Sequence, residues 1–248
     1  MHLSARRVSV AFGQVQAVRS VDLDVRPGEV MAIFGTNGSG KTAFLKAIAG
    51  LVPVSAGTIL CRGEDITALP ARARVARGIH YVSDRARVAL RMTVRENLDA
   101  GGYLEKTSKR DEARRKVYDL FPVLREKERS PAGILSGGER QMLVVGRALM
   151  GSPSLFLFDE PFLGLSQAVR DRILSVIDGE LKGRATVLLA EHDLGAAFRV
   201  LDRYCIFLDG ERIHAGDRSD IDTEERLRTV FRRFHRRSPG GAPGRERP

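Results

Sequence analysis

Hydrophobic and polar positions first alternate along the chain, then merge into runs. Residues 3–25 carry short alternating stretches, VSVAF and VDLDV, on either side of Phe12-Gly13-Gln14. A period of two around a glycine turn predicts a pair of antiparallel strands. EVMAIFG, residues 29–35, is apolar nearly throughout, as in a strand buried on both faces. A glycine-rich turn follows, then TAFLKAIAGLV with helical spacing, and SAGTILCRGEDI reads as a strand and turn. Residues 93–130 break this rhythm with charged, helix-period segments and predict a separate helical lobe. GERQMLVVGRALM continues as helix. SLFLFDE and ATVLLAEHD are apolar strands with acidic ends, separated by the helix RDRILSVIDGEL. YCIFLDGERIHAGD predicts a hairpin turning at Asp209-Gly210.

The predicted fold class is α/β. It has a core around a mixed central sheet, an N-terminal antiparallel β-subdomain and an inserted helical subdomain at about residues 85–150. With 248 residues, 43% of them hydrophobic, the chain can bury one sizeable core. Two cysteines far apart, Cys61 and Cys205, fit a reduced, cytoplasmic protein. MHLSARRVSV has no apolar stretch of a signal peptide, and no run approaches the ~18 apolar residues of a membrane span. Work at a membrane would therefore go through a partner.

Charge changes this picture less than its total suggests. Of the net +10, residues 226–248 carry +7, from eight arginines and one glutamate. Residues 1–225 form the expected folded domain, and 226–248 the expected disordered basic tail. A solvated tail is the first reading, anionic lipid the second and nucleic acid the last; no specific nucleic-acid partner is expected.

Three motifs carry candidate chemistry. GTNGSGKT, residues 35–42, fits G-x-x-x-x-G-K-[ST] between a strand and a helix. Gly35, Asn37, Gly38, Ser39, Gly40 and Ala43 would help form a backbone cradle for phosphates at a helix N-terminus. Lys41 would reach the β- and γ-phosphates, and Thr42 would ligate Mg²⁺. SLFLFDE delivers Asp159 and Glu160 at a strand end, Asp159 for Mg²⁺ and Glu160 as general base on water. ATP and Mg²⁺ are the expected ligands.

LSGGERQ, residues 135–141, completes a set that closely resembles ABC-type ATPases, over roughly residues 3–217. The resemblance implies head-to-tail pairs, in which Ser136, Gly137 and Gly138 contact the nucleotide of a second ATPase subunit. It implies that His192, in LLAEHD, is the switch histidine contacting the γ-phosphate, and that Phe12 stacks on adenine. Within the family, YVSDRARVALRMTVRENL is similar to the ATPases of importers for branched-chain amino acids and related small polar solutes. Permease subunits, a solute-binding protein and a location on the cytoplasmic face of the membrane are then implied. An ATPase for lipid or lipopolysaccharide export is the runner-up, and a non-transport ABC ATPase or a less active half of a heterodimer stays open.

Departures from the family pattern stand at three places. Phe162 replaces a small Ser or Thr, and Ser166 replaces an Asp common in the loop that crosses the dimer interface. Asp84 stands where Gln, or Glu in the importer branch, is usual. By itself Asp84 reads as a turn residue; in the family context it is expected on Mg²⁺ or its water.

Overall fold

In the computed structural model, residues 1–83, 88–151 and 153–235 are described, with the backbone only at His235. The chain first forms β1 (Leu3–Phe12) and β2 (Val15–Val25), then β3 (Val30–Phe34), α1 (Lys41–Ala49), β4 (Ala56–Cys61), β5 (Glu64–Asp65), α2 (Ala71–Val75) and β6 (Ile79–Ser83). Four helices follow: α3 (Val94–Gly101), α4 (Thr107–Leu120), α5 (Pro122–Glu126) and α6 (Gly137–Leu149). The chain then returns through β7 (Leu155–Asp159), α7 (Gln167–Val176), β8 (Thr186–Glu191), α8 (Leu194–Phe198), β9 (Arg203–Leu208), β10 (Glu211–Asp217) and α9 (Glu224–His235).

Two sheets result. The antiparallel one runs β2-β1-β4-β5, and the larger runs β10-β9-β3-β8-β7-β6. Within the larger sheet β9, β3, β8, β7 and β6 are parallel, while β10 is antiparallel to β9. The central strands need apolar residues at every position because both faces are covered. On β3, Val30, Ala32 and Phe34 enter one core and Met31 and Ile33 the other. β7 divides likewise, Phe156 and Phe158 against Leu155 and Leu157. The second core is closed by α1 and the antiparallel sheet, the first by the inserted helices and α7 to α9. This is the α/β P-loop NTPase fold, with a mixed central sheet.

The insert between β6 and β7 holds helices over residues 94–149. Two of them start on capping boxes. The Thr93 hydroxyl accepts the Glu96 N–H at 3.1 Å while the Glu96 carboxylate accepts the Thr93 N–H at 2.7 Å. Ser136 and Glu139 repeat the arrangement at the head of α6.

The C-terminal expectation needs correction. Residues 226–235 belong to α9 and are not part of a disordered tail. Leu227 is fully buried, and Val230, Phe231 and Phe234 pack against the same core. Their spacing of three, four and seven residues from Leu227 makes one helical face. The Phe234 ring stacks on His214 of β10 with centroids 4.7 Å apart. Burying a leucine contributes about 1.5–3 kcal/mol, and Val230, Phe231 and Phe234 add to it, which favours docking of a helix whose other face is mostly charged. Residues 236–248 lie outside the described set. Among the described residues, no helix is long and apolar enough to cross a membrane.

Candidate functional site

The carboxyl ends of β3, β7 and β8 lie side by side, and each opens into a loop that carries part of the site. From β3 the chain enters residues 35–40, where Gly38 and Gly40 adopt φ of +81° and +100°. A Cβ on Gly35 would lie 2.3 Å from Ser39 Oγ and 2.6 Å from the Phe207 carbonyl oxygen. A Cβ on Gly40 would meet the Ala17 carbonyl oxygen at 2.5 Å. Any side chain at either position would push the loop out of this curl.

Lys41 is buried, and its Nζ donates to the Gly35 and Thr36 carbonyl oxygens at 2.8 and 3.1 Å. The same Nζ stands 3.5 Å from Glu160 Oε1. Thr42 Oγ1 donates to Asp159 Oδ1 at 2.9 Å, and the Tyr81 hydroxyl donates to Asp159 Oδ2 at 2.5 Å. His192 Nδ1 lies 3.9 Å from Glu160 Oε1. Lys41, Thr42, Asp159, Glu160 and His192 therefore form one cluster. Glu160 itself holds a positive φ of 50°, unusual for a residue with a side chain.

The donor set suits a hard cation and phosphate. A hydroxyl and a carboxylate, Thr42 and Asp159, are oxygen ligands of the kind Mg²⁺ prefers. Ser39 Oγ is buried in the phosphate loop without a hydrogen-bond partner among the described residues, a polar atom aimed at no protein group. No cluster of three or more His, Cys, Asp or Glu suited to a metal occurs among the described residues.

Other sequence candidates stand elsewhere. Phe12 is half exposed at the end of β1. Ser136 caps α6, Gly137 faces open space and Gly138 lies against Val169. Among the described residues, no hydrogen bond or ion pair joins Ser136, Gly137 or Gly138 to the Lys41–Asp159 cluster. Asp84 lies outside the described residues; Ser83 just before it is the strand partner of Asp159. Phe162 is 2% exposed within the larger core, so its ring fills space that a small residue would leave. Ser166 is the residue before α7, with no side-chain capping bond.

Two residues near the site escape sequence reasoning. Tyr81 sits in an apolar strand, and nothing local marks its hydroxyl as a partner of Asp159. Glu191 ends β8 and is 1% exposed, yet looks like any acidic strand end. Burial pushes its carboxyl up to about 7, with the Glu160 charge adding to the rise and backbone N–H groups of Phe162, Asp193 and His192 opposing it.

The ABC transporter family model matches residues 18–163, a stretch that contains the phosphate loop, Ser136–Gly138 and Asp159-Glu160. The chain belongs to the ABC transporter family. It is an ATP-binding subunit of that family, similar to BraG of Pseudomonas aeruginosa, a high-affinity branched-chain amino acid transport ATP-binding protein. The two are 34% identical over 92% of this chain and 98% of BraG. It is also similar to LptB of Escherichia coli, the lipopolysaccharide export system ATP-binding protein, at 30% identity over 92% of this chain and 96% of LptB. Among solved structures, an ATP-binding cassette of an ABC transporter in its ADP conformation superposes with TM-score 0.80 and 27% identity, over 93% of this chain and 94% of that one.

Proposed function

We propose that the chain hydrolyses ATP to drive uptake of branched-chain amino acids, or a related small polar solute, through a separate membrane permease. One observation carries the catalytic part: Lys41, Thr42, Asp159, Glu160 and His192 converge at three adjacent strand ends. The solute class rests on the similarity to BraG along nearly the whole chain.

In this reading the N–H groups of residues 35–43 and the Lys41 ammonium bind and orient the phosphates. Thr42 and Asp159 would hold Mg²⁺, whose charge offsets the charge that develops on the phosphate oxygens. Tyr81 fixes the Asp159 carboxylate that does the holding. Glu160 accepts the proton of the attacking water, and His192 contacts the terminal phosphate. Phe12 offers a face for adenine. Ser136, Gly137 and Gly138 project from the head of α6 toward the nucleotide of a second ATPase subunit. That assignment fits their separation from this chain's own cluster. Closure of the pair would act on permease subunits at the cytoplasmic face, with a solute-binding protein delivering cargo.

The similarity to LptB favours a second reading, lipopolysaccharide export. Uptake of labelled leucine by cells lacking the chain separates the two. Lost uptake with normal surface lipopolysaccharide supports import; normal uptake with defective lipopolysaccharide supports export.

A further inference from the structure

Acidic residues close two neighbouring parallel strands: Asp159 and Glu160 at the end of β7 have roles in the mechanism above, and Glu191 at the end of β8 has none. Glu191 is 1% exposed. A buried carboxylate persists only where hydrogen bonds offset its lost hydration. Here backbone N–H groups do so. Phe162 donates to Glu191 Oε1 at 3.3 Å, and His192 donates to Oε2 at 3.2 Å. The Asp193 N–H adds a third bond.

These donors belong to two different loops. Phe162 lies two residues beyond Glu160, on the loop leaving β7. His192 and Asp193 lie on the loop leaving β8. The Glu191 backbone, in turn, pairs with Phe34, the residue before the phosphate loop. Glu160 is thus tied to β8 on both sides. Its own N–H donates to the Ala190 carbonyl at 2.9 Å, and the Phe162 N–H reaches the Glu191 carboxylate. Between these ties Glu160 keeps its left-handed φ of 50°, a conformation costing about 1 kcal/mol or more for a residue with a Cβ. His192 Nδ1 stands 3.9 Å from the nearer oxygen of each carboxylate. The Phe162 ring, sunk in the core, anchors the same loop from the other side.

We propose that Glu191 is a positioning residue, a buried clamp that joins the loop of Glu160 to the loop of His192 and sets both against the terminal phosphate. The proposal rests on the ATPase reading above. Glu191 acts through backbone groups and does not itself meet the reacting atoms.

The test uses the full chain with Glu191→Ala and Glu191→Gln. In E191A the ATPase kcat should fall by about ten- to a hundredfold, as for an ångström-scale misplacement of a catalytic group. KM for ATP should stay within about threefold, because Lys41 and the phosphate loop are untouched. E191Q keeps one carbonyl oxygen as acceptor and should recover part of the loss. Amide hydrogen exchange without nucleotide gives a second reading: Phe162 and His192 should exchange at least about tenfold faster in E191A. Wild-type kcat in both variants, or kcat and KM failing together, overturns the proposal. Should E191A not fold, E191Q decides by the same two measurements. If the wild-type chain does not hydrolyse ATP, the ATPase reading fails; unchanged exchange at Phe162 and His192 would overturn the clamp independently.

Discussion

The ends of β7 and β8 are one ladder apart and carry similar chemistry in opposite environments. β7 closes on Asp159-Glu160, with the Glu160 side chain 19% exposed beside Lys41. β8 closes on Glu191-His192, with the carboxylate sealed at 1% and the imidazole 46% exposed. At one end the acid reaches the site; at the other the acid is withdrawn and the histidine reaches it. Residue type alone does not separate the two glutamates. Solvent access and backbone donors do, since an open carboxylate can take a proton from water while a sealed one with several N–H donors is a fixed anchor.

The sharpest break of this comparison is Glu160→Gln. ATP hydrolysis should fall by about a hundredfold or more, the usual range for a lost general base, while ATP binding persists. Near wild-type turnover would move the base elsewhere.

A smaller effect separates the two glutamates by pH. The Glu191 carboxyl is raised in the folded chain to about 7 from an ordinary 4.5. The folded state therefore binds this proton more tightly than the unfolded one. Its stabilising contribution is complete below about pH 4.5 and is lost as pH rises through about 7, a change of up to about 3 kcal/mol. Glu191→Gln removes that loss. The Tm of E191Q relative to wild type should climb between pH 5 and 8; a gap that stays constant would mean that Glu191 ionises normally.

The smallest effect concerns the support of Asp159. Tyr81→Phe deletes the hydroxyl that donates to Oδ2 while leaving the ring. The Mg²⁺ concentration for half-maximal ATPase should rise by about tenfold, the low end of the range for partners of metal-holding carboxylates, because Thr42 still holds Oδ1. An unchanged Mg²⁺ requirement would show that Thr42 alone orients Asp159.

What the sequence revealed follows the same divide. Residues 35–42 are legible because a curl around phosphate demands glycines at fixed places, and β3 and β7 because burial on both faces demands unbroken apolar runs. Tyr81 was hidden because its partner Asp159 stands on another strand, and Glu191 because its tie to Phe162 crosses to the loop after β7; only the register of β6, β7 and β8 brings these pairs together. The face of α9 was hidden by composition. Leu227, Val230, Phe231 and Phe234 form a helical stripe, but the arginines between them gave the segment the look of a solvated tail.

A double-mutant cycle on ATPase kcat tests the central claim most directly, using wild type, E160Q, E191Q and the pair. If Glu191 works by placing Glu160 together with His192, E191Q should cost much less in the E160Q background than in wild type, because the base it helps to place is already gone and only the share carried by His192 remains. Losses that multiply, with E191Q costing the same factor in both backgrounds, would contradict the account and make the two glutamates independent.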